Sequence, residues 1–499
     1  MQNLSPTAVA VSTALILLLA GVPKAEADGG RARLIVLADM GNEPDEEQQM
    51  LHLLMCSDAI EIEGLLAVTG FHLRPEDRRP YRRRLHPELL HRLVDNYEEV
   101  YPNLRLHAEG WSDPSRLRGV VASGQNGFGM ASVGEGMSSE GSRLIIQSVT
   151  RVDPRPVHVV VNAGSNTLAQ ALYDYRNEST SEELAAFVAK LRVYENAAQD
   201  DAGAWICHHF PSIHWIRSLH QTKAWGGPSN DNLGPVVWQP YDDTPEGQDR
   251  WANEHIRMGH GPLGELYPTR LVQRIHFIEG GGTIPWMGLV NRGLSDPSEP
   301  SWGGWSGRFT SERALNVHSR YPAIAQLERT SVPFAVYTDA VDEWVDTETG
   351  EAYRDVHAPV WRWRGAMWSD FRARMDWCVK AYTEANHHPR IAIDGDTSFA
   401  IIRRAARPGE FLVFDASASS DPDGDALAYS WWVYPEAGRA HYGKVLPLDD
   451  AASPRVSFTV PGDAAGKEVH LILEVIDRSP NVPLTAYRRV VIDVGESRQ

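Results

Sequence analysis

The chain has 499 residues and little cysteine: Cys56, Cys207 and Cys378 stand far apart, with no C-x-x-C spacing. That pattern excludes a disulfide framework or a zinc ribbon and leaves room for one bridge at most. Cys56 and Cys378 fall in helix-like apolar patterns and read as small buried hydrophobes. Beyond the first 27 residues no run of 18 apolar residues occurs, which excludes an integral membrane helix. Basic residues are outnumbered, 48 Lys and Arg against 66 Asp and Glu, for a formal charge of -18. Such a balance repels nucleic acid polymers and anionic membrane surfaces. The dense basic patch of Arg74, Arg78, Arg79, Arg82, Arg83 and Arg84 is interleaved with Glu76 and Asp77 and reads as a solvated face. G-x-S-x-G, H-E-x-x-H, G-x-x-x-x-G-K-[ST] and a strand-borne G-x-G-x-x-G are all missing, so the signatures of several common hydrolases and nucleotide-binding folds are absent.

What is present starts with an apolar stretch, residues 8–22, centred on Leu15 to Leu19 and followed by Ala25-Glu26-Ala27. Apolar core and small-x-small cleavage site predict a signal peptide over residues 1–27 and a secreted or periplasmic protein. The all-apolar run Leu34 to Leu37, helical spacing of Met50, Leu51, Leu54 and Met55, and a second run from Gly64 to Val68 make a β-α-β unit. Val157 to Val161, running through Asn162-Ala163-Gly164-Ser165-Asn166 into Leu168, Ala169, Ala171 and Leu172, repeats strand, turn and helix. The expected fold is α/β, an open, mostly parallel sheet with helices on both faces. After Asn386-His387-His388-Pro389 the chain turns to short alternating strands between turn clusters, which predicts an Ig-like β-sandwich over residues 389–497. The large domain is placed at 31–312, with a helical extension and linker at 313–388.

The chemistry concentrates in Asp39-Met40-Gly41-Asn42-Glu43-Pro44-Asp45-Glu46-Glu47, where the first strand hands over to a helix. Ligands of open α/β sheets bind outside the carboxyl ends of strands. So many carboxylates in one loop repel each other unless they are solvated or gathered round a cation, and hard oxygen donors suit calcium or magnesium. Asp45 and Glu46 serve equally as helix-capping charges.

These residues resemble the opening of the calcium-dependent nucleoside hydrolases, an apolar strand running into D-T-D-P-G-x-D-D. Asp39 and Gly41 match its second Asp and its Gly; Asp45 and Glu46 match the closing acidic pair after a two-residue insertion. The resemblance implies Asp39 as general base and metal ligand, Asp45 on a ribose hydroxyl and Glu46 on calcium. Gly164 to Ala169 is similar to the family turn that lends a backbone oxygen to calcium, which places Asn166 at metal and substrate, and Ser295-Asp296-Pro297 is similar to H-D-P, which makes Asp296 a distant metal ligand. Two positions depart: Leu37 stands for the first Asp and Ser295 for the His that assists the leaving base. Either Asn42 or Glu43 restores the coordination, or calcium is not held in the family way. A narrower resemblance, carried by Asn42-Glu43-Pro44-Asp45-x-Glu47-Gln48, Asn166 to Leu172, Gln199 to Trp205 and Asp296-Pro297 with Trp302-Gly303-Gly304-Trp305, points to a secreted branch commonly labelled cellulose-binding proteins.

Two functions are therefore expected: a metal-dependent hydrolase of N-glycosidic bonds in a nucleoside or related small glycoside, or a non-catalytic, exported carbohydrate-binding protein on the same fold. His72, His208 and His209 are candidates for the leaving-group acid. Trp302 and Trp305, in a Gly-rich loop beside Asp296, are candidates for a sugar platform. In the small domain Asp421-Pro422-Asp423-Gly424-Asp425 resembles the turn of polycystic-kidney-type or cadherin-like modules, open to a structural calcium or to plain turn chemistry, and of Trp431 and Trp432 one should be core while the other touches carbohydrate. Gly280-Gly281-Gly282 reads as a turn.

Overall fold

The apolar run Leu34 to Leu37 is apolar throughout because the strand it forms is covered on both sides. In the computed structural model, which describes residues 30–226, 250–268, 270–272, 275–277, 281–290, 293–347 and 349–496, β1 (Ala32–Ala38) lies at the centre of an eight-stranded sheet. Leu34, Val36 and Ala38 enter one apolar core and Ile35 and Leu37 the other, each fully buried. The predicted signal peptide lies outside the described residues. Among the described residues no helix is long and apolar enough to cross a membrane.

Around β1 stand β2 (Ile60–Ala67), β3 (Val121–Ser123), β4 (Val157–Val161), β5 (Leu191–Asn196) and β6 (His214–Ser218), in the order β3-β2-β1-β4-β5-β6, all parallel. The chain leaves β1 to build one half of the sheet and returns at β4 to build the other, so a crevice opens at the carboxyl ends of β1 and β4. That crossover positions the site.

The stretch expected to be a helical extension holds helices and also adds strands. Ala335–Thr338 pairs parallel with β6, and Ala314–Leu315 closes the sheet antiparallel to it. The helix Pro322–Glu328 lies between those two strands in sequence; a hairpin of Asp342–Val345 with Ala352–Asp355 follows, and then the helices Ala358–Trp361 and Arg364–Asp376. Val336 is fully buried, and the strand around it is too short and too mixed in composition to announce itself in the sequence.

The C-terminal unit packs a four-stranded sheet, ordered Ile402–Ala406, Thr485–Val494, Glu468–Asp477, Leu427–Val433, against the pair Phe411–Asp415 and Arg455–Thr459. Leu412, Phe414, Trp431, Val456, Leu471 and Val490 fill its core. Its outer face docks on the large domain. The buried Arg489 donates to the carbonyls of Leu294, Trp302 and Gly303 at 2.7, 2.9 and 2.8 Å.

Candidate functional site

Asp39 is the first residue past β1. Gly41 turns the backbone at a φ of +87°, where a Cβ would come within 2.8 Å of the His86 ring. Glu43 is the N-cap and Pro44 opens α1 (Pro44–Leu54), while the Glu46 carboxylate accepts the Glu43 N–H at 3.1 Å. Capping thus engages Glu43 and Glu46 rather than Asp45.

The result is a buried acidic floor. Among the described residues no N–H or hydroxyl reaches either oxygen of Asp39, which is fully buried; its polar neighbour is the Glu46 carboxyl, which also lies within hydrogen-bonding reach of Asp45. Burial, only partly offset by Glu46, raises the Asp39 carboxyl to about 7. Burial and the Glu43 charge raise Asp45 to about 6, and burial together with Asp45 and Asp39 holds Glu46 well above the carboxylate range. Arg82, from the patch expected to be solvated, is only 14% exposed and stands 4.0 Å from Glu43.

Amides line the floor. The Asn162 side chain donates to Gln49 Oε1 at 2.6 Å and to the Gly282 carbonyl at 2.8 Å, and Gln199 donates to the Asn162 carbonyl at 2.7 Å. Gly282 is more than a turn: a Cβ there would lie 2.5 Å from Gln49 Nε2. His72, Lys223, Arg320 and Tyr321 line the same cleft as Asn42, Glu43, Asp45 and Glu46, an open space of about 790 Å³; Asp39, fully buried, does not itself line it. His72 Nε2 is 3.2 Å from Tyr321 Oη, and Phe71 stacks on Tyr321 at 4.3 Å. Lys223, Arg320, Tyr321 and Gly282 carried no motif in the sequence, since only the fold brings them into one cleft with Asp45 and Glu46.

The donor types are those a hard divalent cation takes, but among the described residues their spacing is not that of a formed metal site. Asn42 Oδ1, Asp45 Oδ1 and Asn162 Oδ1 are, with both oxygens of Asp39, buried without a hydrogen-bond partner. Among the described residues, the set of three His, Cys, Asp or Glu donors lying within 4.8 Å of one another is elsewhere, at His52, Cys56 and Asp370. There Arg374, 2.8 Å from Asp370 and 2.6 Å from Asp58, already supplies the positive charge.

The other expected site residues fall apart in space. Asn166 is fully buried and donates to Thr69 and to the Gly127 carbonyl at 3.3 and 2.9 Å, while its backbone N–H serves Asp200 at 3.1 Å. Asp296 lines a different pocket with His158, Arg192 and His214, residues at the amino ends of β4, β5 and β6. Arg192 is level with His158 and so with Leu34, five residues before Asp39. At 3.3 Å per residue that puts Asp296 at the wrong end of the sheet, roughly 16 Å from the acidic floor, and removes it from any shared metal site. Trp302 and Trp305 are 3% and 2% exposed, packed on His470 and Tyr487 of the sandwich, so neither offers a face to sugar. Trp431 is core, and Trp432 packs on Trp363 and bonds Glu474 at 3.2 Å within the domain contact. Asp421 accepts the N–H groups of Asp423 and Asp425, and Asp423 holds His387, which is turn and docking chemistry. Of the candidate acids only His72 lines the cleft; His208 donates to the Pro333 carbonyl at 2.9 Å.

A parallel sheet whose crossover holds carboxylates and amides, followed by a docked β-sandwich, defines a nucleoside hydrolase-like protein with an accessory domain. The chain belongs to the family described as "Cellulose-binding Sde182, nucleoside hydrolase-like domain", which matches residues 33–309, and residues 412–494 match "Cellulose-binding protein Sde0182, C-terminal domain". It is similar, at 34% identity and a TM-score of 0.77, to the structure of a nucleoside hydrolase-related hypothetical protein from Saccharophagus degradans that is associated with carbohydrate metabolism; the match covers 93% of this chain and 100% of that one. An endo-beta-1,4-mannanase from Thermotoga petrophila aligns over 94% of this chain and 99% of its own at 9% identity, but its TM-score of 0.17 marks no shared fold. No curated protein matches the chain.

Proposed function

We propose that the protein is an exported glycoside hydrolase whose cleft binds a small glycosyl compound, with Asp39 as the base. The observation that carries this reading is the acidic and amide lining of the cleft, Asp45, Glu46, Gln49, Asn162 and Gln199, with the Asp39 carboxyl fully buried beside Glu46 at the sheet crossover and raised by that burial. Asp39, buried beside Glu46, takes the proton of a water admitted past Asp45 and Glu46, the water attacks the anomeric carbon, and the surrounding carboxylates stabilise the oxocarbenium character that develops there. Gln49, Asn162 and Gln199 orient sugar hydroxyls. His72, hydrogen-bonded to Tyr321, lines the same cleft and is the candidate donor to the leaving group; burial lowers its basicity and favours the neutral ring. Were a hard divalent cation such as calcium to bind, Asp39, Asp45 and Glu46 would have to draw together with the amide oxygens of Asn42 and Asn162 to hold it, since the three carboxylates do not now lie within 4.8 Å of one another, and it would supply Lewis-acid polarisation. Export rests on the apolar leader and Ala25-Glu26-Ala27.

A second reading, a carbohydrate-binding protein without turnover, is favoured by two substitutions: Leu37 is fully buried in the core where the family carries a ligand, and Ser295 lies in the pocket of Asp296, away from the floor. The family's cellulose-binding label supports it as well. Incubation with a panel of nucleosides and small O-glycosides, beside sugar titration of the same protein, separates the two. Aglycone release lost in Asp39→Asn supports the hydrolase; sugar binding with no release from any compound supports the binding protein.

A further inference from the structure

The cleft is polarised. Its floor is acidic, yet the facing wall holds two cations, Lys223 and Arg320. Lys223 is half-buried in the turn Gln221–Gly226, and among the described residues no carboxylate pairs with its ammonium. The charge that acts on it is that of Arg320, a like charge, which together with burial lowers its basicity. Arg320 uses one of its donors on Tyr321 Oη, at 2.9 Å, and is otherwise exposed to the cleft. Both residues sit on anchored backbone: the Lys223 N–H bonds the His220 carbonyl at 2.8 Å, and Ser319, next to Arg320, receives its own anchor from Glu328, which accepts the Ser319 N–H at 2.7 Å. Two like charges that line one cleft and act on each other, Lys223 half-buried and Arg320 exposed, are relieved when an anion comes between them. Neutral hydroxyls suit the amides and carboxylates of the floor, but they do not answer this wall.

We infer that the ligand is an anionic sugar, one that lays its hydroxyls on the Gln49, Asn162 and Gln199 side of the cleft and directs a carboxylate or phosphate ester to Lys223 and Arg320. The inference rests on the cleft being the sugar site. It sets the substrate class apart from plain nucleosides, which carry no charge to meet the wall. Charge-assisted hydrogen bonds are roughly twice as strong as neutral ones, and a pair of them raises affinity by about tenfold or more over the uncharged parent sugar.

Calorimetric titration of the full chain with galacturonate, galactose and galactose 6-phosphate tests it, repeated on Lys223→Met and Arg320→Met at low and high salt. The expected result is binding of the charged sugars at least about tenfold tighter than galactose, an advantage that shrinks with salt and disappears in both variants. Preference between the two charged sugars tells carboxylate from phosphate ester. Equal binding of galactose and galacturonate, weakened by Gln49→Ala, overturns the anionic ligand and leaves the cleft as a sugar site. Binding of none of the three overturns both. Unchanged thermal melting of Lys223→Met and Arg320→Met shows that a lost preference reflects the cleft and not the fold.

Discussion

Asp39 and Asn162 leave the sheet side by side. Leu37 of β1 is paired with Val161 of β4, and the Asn162 N–H bonds the Leu37 carbonyl at 2.9 Å, so the carboxylate and the amide emerge together at the crossover. The Asp39 carboxylate and the Asn162 amide are thus placed by strand register rather than by loop conformation.

Asp39→Asn removes a buried negative charge that no cationic side chain pairs with directly. The variant is expected to lose glycoside release by at least about a hundredfold while still binding sugar, since general-base assistance contributes on that scale. Its melting temperature in metal-free buffer should equal or exceed that of the wild type. Release kinetics and thermal melting check both parts.

Gly282→Ala places a methyl group 2.5 Å from Gln49 Nε2 and pushes that amide off Asn162. Loss of one buried hydrogen-bond link predicts sugar affinity weaker by about 1–3 kcal/mol. Titration calorimetry reads the loss.

Arg489→Met strands the carbonyls of Leu294, Trp302 and Gly303 at the domain contact. Unsatisfied buried acceptors predict a stability loss on the order of 3 kcal/mol, measured by denaturant unfolding. A free energy unchanged within error would mean the sandwich does not depend on this clamp.

Glu474 is pushed by burial from 4.5 up to about 7. A carboxyl raised in the folded state favours the protonated protein, so its contribution to stability is complete below pH 4.5 and is lost as pH rises through 7. Glu474→Gln should therefore match the wild type near pH 4 and exceed it at pH 8 by on the order of 3 kcal/mol. Unfolding free energies across that range give the comparison.

Much of this architecture is legible in the residue pattern alone. The run Leu34 to Leu37 declares a strand buried on both faces, and the cluster Asp39 to Glu47 declares its carboxyl end. What the sequence could not carry was direction in space. Asp296-Pro297 fits a motif by spelling, but the spelling is silent on which end of the sheet the loop meets. Trp302 and Trp305 look available for stacking because the surface that covers them, His470 and Tyr487, arrives from a domain about 170 residues later. Lys223, Arg320 and Tyr321 sit in short turns without periodicity, and only the fold brings them into one cleft with Asp45 and Glu46.

The most direct measurement is glycoside release by the wild-type protein and by Asp39→Asn, assayed with and without calcium on a panel that spans nucleosides, neutral O-glycosides and uronides. A hydrolase with Asp39 as its base predicts release by the wild type that is abolished in the variant. Release that persists in Asp39→Asn, or a wild type that turns over no member of the panel while binding its sugars, would contradict that role.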